Sequence, residues 1–357
     1  MSPGSISKTR YFWRRLRFEA LLILFLGGML GGLFALYTVS RTFELFLFGA
    51  ADGICISALT ILYRLYLYQE ASKQQTKRSG FLSRVLGNFA AYSACFFFGS
   101  VLGRLISARY WLPHLGGQFL VSVGFTLVVV FLLSFFIEMN RLLGPRVLMS
   151  FIRGNYRHPV EEDRIFLFVD LANSTKIAES LGNVRYIGFL NLFFQKLSDA
   201  ALVTNAEIYK YIGDEAILTW KNTPANLDLS ATRCFFLLDQ FIQESKQEFL
   251  KNYGVVPQFR GAIHEGVVIV GELGKDRLEI AFIGDVVNST ARLMDLARDS
   301  GHSLVASEQF LKEVISSESL LIADVGTVRL KTLGFFRLRG KIEQTRAYAL
   351  ERQESSN

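Results

Sequence analysis

Four long apolar stretches crowd the N-terminal part of the chain, and they limit what it can fold into more than any other feature. Residues 20–40 (ALLILFLGGMLGGLFALYTVS) carry no charge and reach the ~20 residues that a helix needs to cross hydrocarbon. A second stretch runs from Leu45 to Tyr63, interrupted only by Asp52; a third runs from Val85 to Gly103; a fourth, Leu115 to Ile137, has no charge at all. The first is too long for the apolar core of a secretion signal, and no small-residue cleavage site follows it. The spacing predicts four membrane-spanning helices within residues 1–138.

Charge fixes the orientation. Residues 1–160 carry 17 Lys and Arg against 5 Asp and Glu, whereas the remainder carries 22 against 27, so the +7 of the chain belongs to its apolar half. Basic residues that flank apolar spans point to a membrane surface and argue against nucleic acid as a partner. Arg10, Arg14, Arg15 and Arg17 precede the first stretch; Lys73, Lys77, Arg78 and Arg84 separate the second from the third; Arg141, Arg146, Arg153 and Arg157 follow the fourth. Positive-inside counting places both termini in the cytoplasm, as an even number of spans requires. The chain reads as a multi-pass protein of the inner or plasma membrane. Gly27, Gly28, Gly31 and Gly32 in the first span, with Gly99 and Gly103 in the third, have the spacing that lets helix backbones approach closely. Asp52 is the one acid deep in a span; it either pairs with Arg104 or stays neutral against hydroxyls. Three widely spaced cysteines suggest neither a disulfide framework nor a zinc site.

Residues 139–162 read as an amphipathic connector, with Leu142, Leu143, Val147, Leu148, Phe151 and Ile152 forming one stripe. Gly144-Pro145 should kink it, and Pro159 should end it before a strand. Such a connector suits either coupling between protomers or a passive tether on anionic lipid.

From Arg164 the periodicity changes. RIFLFVDL reads as a buried strand ending in an acid, STKIAESLGN as a helix continued by VRYIGFLNLFFQKLSDAALVT, and AEIYKYI and EAILTW as strands around a GD turn. Residues 227–250 read as a long helix. VVPQFRGAIHEGVVIVGEL suggests two strands around a turn at Glu265-Gly266, DVVNSTARLMDLARDS a helix, and the end of the chain short strands. This alternation predicts an α+β domain over residues 163–352, with 353–357 a frayed tail.

Two acids stand at strand ends, Asp170 after IFLFV and Asp214 in the turn. On neighbouring strands their carboxylates would converge, and paired carboxylates without His or Cys favour Mg²⁺ over zinc. The helix beginning at Asn173, Ser174 and Thr175 offers backbone amides to a phosphate beside those acids. Metal-holding acids next to phosphate-holding amides outline a polyphosphate site.

The blocks FLFVDLANSTKIAESLG, YKYIGDEAILTW, FRGAIHEGVVIVGELG and IAFIGDVVNSTARL, in this order and spacing, resemble the class III nucleotidyl cyclase catalytic domain over roughly residues 163–350. The resemblance implies a ferredoxin-like βαββαβ core, active as a head-to-tail homodimer with two sites at the subunit interface. It implies two Mg²⁺ or Mn²⁺ ions per site on Asp170 and Asp214, with a backbone carbonyl from Leu171. Lys210 matches the base-reading lysine of adenylyl cyclases. Asn288 and Arg292 match the pair that orients the ribose and faces the α-phosphate. Arg339 matches the residue reaching the β- and γ-phosphates, with Lys341 as a substitute.

One position departs from the pattern. Ala281 stands where adenylyl cyclases carry Asp or Thr, and it cannot accept a hydrogen bond from the adenine amine, so discrimination against GTP rests on Lys210 and pocket shape. The resemblance implies a four-span adenylyl cyclase acting on ATP, regulated through its membrane domain by a stimulus the sequence does not name. The rivals are a guanylyl or dual-specificity cyclase and a silent nucleotide-binding receptor. A diguanylate cyclase would need a doubled glycine where Ile212 precedes Gly213. His264 reads as a structural residue and Asp285 as a helix cap.

Overall fold

The computed structural model describes residues 43–73, 80–106, 154–222, 229–275, 278–312, 314, 319–337 and 344–353, with isolated residues between 21 and 36 and between 127 and 139. The chain divides into two compact units that part between Ile152 and Arg153.

In the first unit, helix α1 spans Phe43–Lys73 and α2 spans Phe81–Ile106. Residues 27–33 are also helical, and Gly27 and Gly31 lie against Gly53 and Gly49 of α1. A Cβ on Gly27 would stand 2.8 Å from the Gly53 carbonyl oxygen, and one on Gly99 would stand 2.7 Å from the Ile56 Cα. The glycine spacing therefore serves close helix packing, as the sequence predicts. Phe81 and Phe89 stack edge-on against Phe135 and Phe131, and Arg84 pairs with the buried Glu138. Both contact series run in opposite directions along their two segments, so first and second, and third and fourth, stretches lie antiparallel. Among the described residues, Phe81–Gly99 alone is long and apolar enough to cross a membrane, and Gly49–Tyr63 is a shorter apolar helix. The proposed Arg104 side-chain contact and most of the connector (140–153) lie outside the described residues.

The second unit is an α+β domain built on a nine-stranded sheet of order β2-β3-β1-β4-β6-β9-β8-β7, with β5 pairing on β4. Its strands are β1 Val160–Leu171, β2 Glu207–Ile212, β3 Glu215–Lys221, β4 Phe259–Leu273, β5 Glu279–Ile283, β6 Leu304–Ser307, β7 Ser319–Ile322, β8 Gly326–Arg337 and β9 Gln344–Arg352. Helices α3 (Ser174–Leu181), α4 (Asn183–Val203), α5 (Ser230–Glu244), α6 (Lys246–Tyr253), α7 (Asp285–Ser300) and α8 (Glu308–Leu311) complete it. The order β2-β3-β1-β4 with helices between β1 and β2 and between β3 and β4 is the expected βαββαβ core.

Alternation along β1 explains its apolar run Ile165–Val169. Ile165, Leu167, Val169 and Leu171 join the core that holds Phe189, Phe193 and Phe241 of the helical layer. On the other face Phe166 meets Phe282 of β5 edge-on, with centroids 5.7 Å apart. Both faces are covered there, so this run reads as continuously hydrophobic.

Three expectations need correction. The predicted helix from Ser174 breaks at Gly182, whose φ of 72° ends α3. The predicted 227–250 helix divides at Ser245 into α5 and α6. Glu265-Gly266 is no turn: β4 runs unbroken, paired with β1 from Val160↔Val270 to Leu171↔Phe259. A Cβ on Gly266 would stand 2.7 Å from Val286 Cγ2, so this glycine admits helix α7 close to the strand. The final strands β8 and β9 are also longer than expected.

Arg164 is buried, 1% exposed, and it pairs with Glu162 at 2.7 Å and Glu207 at 2.9 Å while lying 4.7 Å from the Phe282 ring. Arg164→Met leaves both carboxylates without that cation in a poorly solvated place, and it should cost about 3–5 kcal/mol. Denaturant unfolding checks this, with Glu207→Gln in the Met background expected to recover part of the loss.

Candidate active site

The antiparallel pairing of β1 and β3 sets Asp170 opposite Glu215, which places Asp214 at the same end of the sheet, one residue outside the ladder. The two acids predicted to converge are thus on neighbouring strands. Gly213, at φ 63°, takes the left-handed place of the two-residue turn between Ile212 and Glu215, a conformation that favours glycine. Leu171 closes β1 opposite Phe259, its side chain buried. Asn173 follows in the left-handed region (φ 57°, ψ 29°), and helix α3 starts at Ser174 with no side-chain cap, leaving its first-turn amides without intrahelical partners. Asn173 and Thr175 are exposed, and Ser174 is half-buried. Burial, then the charge of Asp214 and more weakly that of Asp170, push the Tyr186 phenol up. One tyrosine thus senses both acids.

Two further residues belong to this end of the sheet, and sequence reading passed over both. Glu215 is pushed up to about 7 by burial and by the charges of Asp170, Asp214 and Asp295, against the pull of Arg298. The Arg298 guanidinium, on the last turn of α7, donates to Asp170 at 2.9 Å and to Asp295 at 3.0 Å. Glu215 follows the acid that was singled out, so adjacency was a usable signal. Nothing in the sequence marks Arg298, 128 residues from its partner.

These residues fit a hard divalent cation. A guanidinium already rests on Asp170, which shows that the carboxylate accepts a cation, and the donors are oxygens. Among the described residues no three His, Cys, Asp or Glu side chains could hold one ion. Two carboxylates would leave the other coordination positions to a carbonyl, water and phosphate, the arrangement Mg²⁺ accepts.

The remaining predicted residues lie elsewhere in the domain. The register slips between Ile208 and Lys210, so Tyr209 bulges from β2 and its ring meets Phe282 edge-on at 4.7 Å. The bulge brings Lys210 to Glu279 of β5, where the two form an ion pair with side chains 44% and 43% exposed. Ala281 lies two residues beyond Glu279, hence on the same face of β5. Asn288 is exposed on α7, one turn before Arg292, whose Nη1 is buried without a hydrogen-bond partner among the described residues. Asp170 forms its ion pair with Arg298 and none with Arg292. Arg339 and Lys341 lie outside the described residues.

The two residues set aside in the sequence stay outside this cluster. His264 is buried, its Nδ1 2.7 Å from Ser307 Oγ in the sheet core. Asp285 is the first residue of α7, not its cap, and it accepts a bond from Ser289 at 3.3 Å.

Comparison with known proteins gives the class of the domain. Residues 159–351 match the family described as the adenylate and guanylate cyclase catalytic domain. The chain belongs to that family, and its second unit is the catalytic domain of a class III nucleotidyl cyclase, a phosphorus–oxygen lyase. It is 36% identical over 200 residues to adenylate cyclase 2 of Rhizobium meliloti, covering 56% of this chain and 55% of that protein. It is 26% identical over 157 residues to the adenylate cyclase of Anabaena cylindrica, covering 43% and 31%. The chain thus spans about half the length of the first of these relatives and less of the second. The structure of a bacterial light-regulated adenylyl cyclase shares the fold at TM-score 0.53 and 16% identity, covering 68% of each chain.

Glu215 gives the site a pH signature. Its folded value lies above the ordinary 4.5, so the folded chain keeps a proton that the unfolded chain loses. This contribution to stability is full below the unfolded value and disappears as pH rises through about 7. In chelator, Glu215→Gln should therefore gain up to about 2 kcal/mol on wild type between about pH 5 and about pH 8. Denaturant unfolding at both pH values checks it, an equal difference at the two being the contrary result.

Proposed function

We propose that the chain is an integral-membrane adenylyl cyclase that converts ATP to 3′,5′-cyclic AMP and pyrophosphate at sites shared by two copies of itself. One observation carries this reading. Asp170 and Asp214 stand at one sheet end beside an uncapped helix start, while the Arg292 guanidinium holds a buried nitrogen without a partner. An orphaned buried guanidinium nitrogen is costly unless an anion reaches it, and a triphosphate is such an anion. Since Asp170 and Arg292 form no ion pair or hydrogen bond within one chain, a second copy is the economical way to bring them to the same substrate.

Asp170, Asp214 and the Leu171 carbonyl would hold two Mg²⁺ or Mn²⁺ ions, which would supply a lowered 3′-hydroxyl pKa and charge neutralisation on the leaving phosphates. The protein does the rest. Asn288 aligns the ribose so that its 3′-oxygen faces the α-phosphorus in line with the departing pyrophosphate. Arg292 stabilises negative charge as it spreads over the phosphoryl oxygens. The amides of Asn173, Ser174 and Thr175 cradle the phosphates, with Arg339 at the far end of the chain of three. Lys210 donates to the base, and Glu279, held beside it, brings a carboxylate acceptor to the face where Ala281 has none. A carboxylate accepts equally well from guanine's N1–H and N2 amine, so the support for ATP rests on Lys210, which suits the lone pair of adenine N1 and cannot accept from those guanine donors.

Residues 1–138 form the membrane domain in this reading, with four antiparallel spans, and residues 139–162 form the connector to the catalytic domain, 163–352. The outward surface of the first unit supports it: Leu21, Phe25, Leu62, Leu82, Phe97, Phe98 and Val128 are all large, apolar and exposed, a surface suited to lipid. The paired helices and positive-inside charge keep both termini and the catalytic domain in the cytoplasm. Movement of the membrane domain would alter how two catalytic domains meet, and so regulate turnover.

Arg292→Ala should lower kcat about 10²–10³-fold with a much smaller change in KM, because its contact strengthens as charge develops. Purified full-length protein supplied with ATP and GTP together, its cyclic products separated by mass, should yield mainly cyclic AMP. Mainly cyclic GMP overturns the substrate, and no cyclic product overturns the function.

A further inference from the structure

The ion pair between Arg298 and Asp170 has no part in the reaction as described, yet it occupies one of the two acids on which that reaction depends. Its geometry is that of a shared cation: one guanidinium nitrogen donates to Asp170 and the other to Asp295. Asp170 is 13% exposed, whereas Arg298 is 48% and Asp295 67% exposed. The arginine therefore reaches in from solvent, with one partner inside the site and one outside it. Asp214 adds negative charge at the same sheet end as Asp170, so the carboxylates that would draw a divalent ion also draw this guanidinium.

We propose that Arg298 is a built-in competitor for the metal: it neutralises Asp170 until a divalent cation takes that carboxylate, then retreats to Asp295 and stays there. Arg298 is thus a positioning residue that sets how much metal the enzyme needs. An exposed ion pair is weak enough to be displaced, and the bond to Asp295 keeps the arginine at the rim, where it does not have to be ordered again on each cycle. The proposal rests on Asp170 being a metal ligand, and its test separates the two claims.

Mn²⁺ alone is titrated against full-length protein in detergent, and free ion is read by electron paramagnetic resonance without nucleotide or turnover. Arg298→Gln should bind Mn²⁺ about three- to five-fold more tightly than wild type, the size of a lost surface ion pair. Arg298→Lys should fall between them, and Asp295→Asn, which removes the place of retreat, should bind more weakly. Asp170→Asn should lose the site. If Asp170→Asn binds like wild type, the metal assignment fails. If Asp170→Asn loses the site while Arg298→Gln and Arg298→Lys bind no more tightly than wild type, the competitor role fails and the metal assignment stands.

Discussion

Everything at the catalytic end hangs on the register of β1 against β3. With Asp170 opposite Glu215, Asp214 falls at the same edge, and Tyr186 and Arg298 gather around the same charges. A slip of one residue would turn β1 over, sending Asp170 to the other face and Ile165, Leu167 and Val169 out of the helical core. Packing therefore guards the chemistry. A one-residue slip cannot satisfy the core residues of β1, and it would also part the acids.

Negative charge at that edge costs the fold something and gives the site its purpose. Burial among Asp170, Asp214 and Asp295 raises Glu215 to about 7, and Arg298 relieves part of the crowding. A divalent ion relieves more of it. The same repulsion that weakens the metal-free protein thus favours binding, a trade expected where function is built from like charges.

Much of this was legible in the chain. Helix α7 begins and ends where its apolar periodicity does, Asp170 stands where the buried run of β1 stops, and Asp214 lies in the turn after β2. Readings failed where tertiary contact overrides local signal. Gly266 looks like a turn residue, but its missing side chain makes room for Val286, a reason that no window of sequence contains. Glu279 meets Lys210 only because Tyr209 bulges and β5 folds over Phe166. Arg298 is one charge among many on an exposed helix until the fold brings it to Asp170. In the first unit the glycines of residues 27–33 were readable in advance, because backbone approach needs small residues whatever the wider fold.

The central claim is that Asp170 and Arg292 serve one substrate from two different chains. Co-expression of an Asp170→Asn chain with an Arg292→Ala chain, each inactive alone, tests it most directly, with cyclic AMP formation as the readout. A shared site predicts recovery to about a quarter of wild-type turnover, since half the dimers are mixed and each mixed dimer has one intact site. No recovery, with mixed dimers demonstrated by two affinity tags, would place both residues in a site made by a single chain and contradict the account.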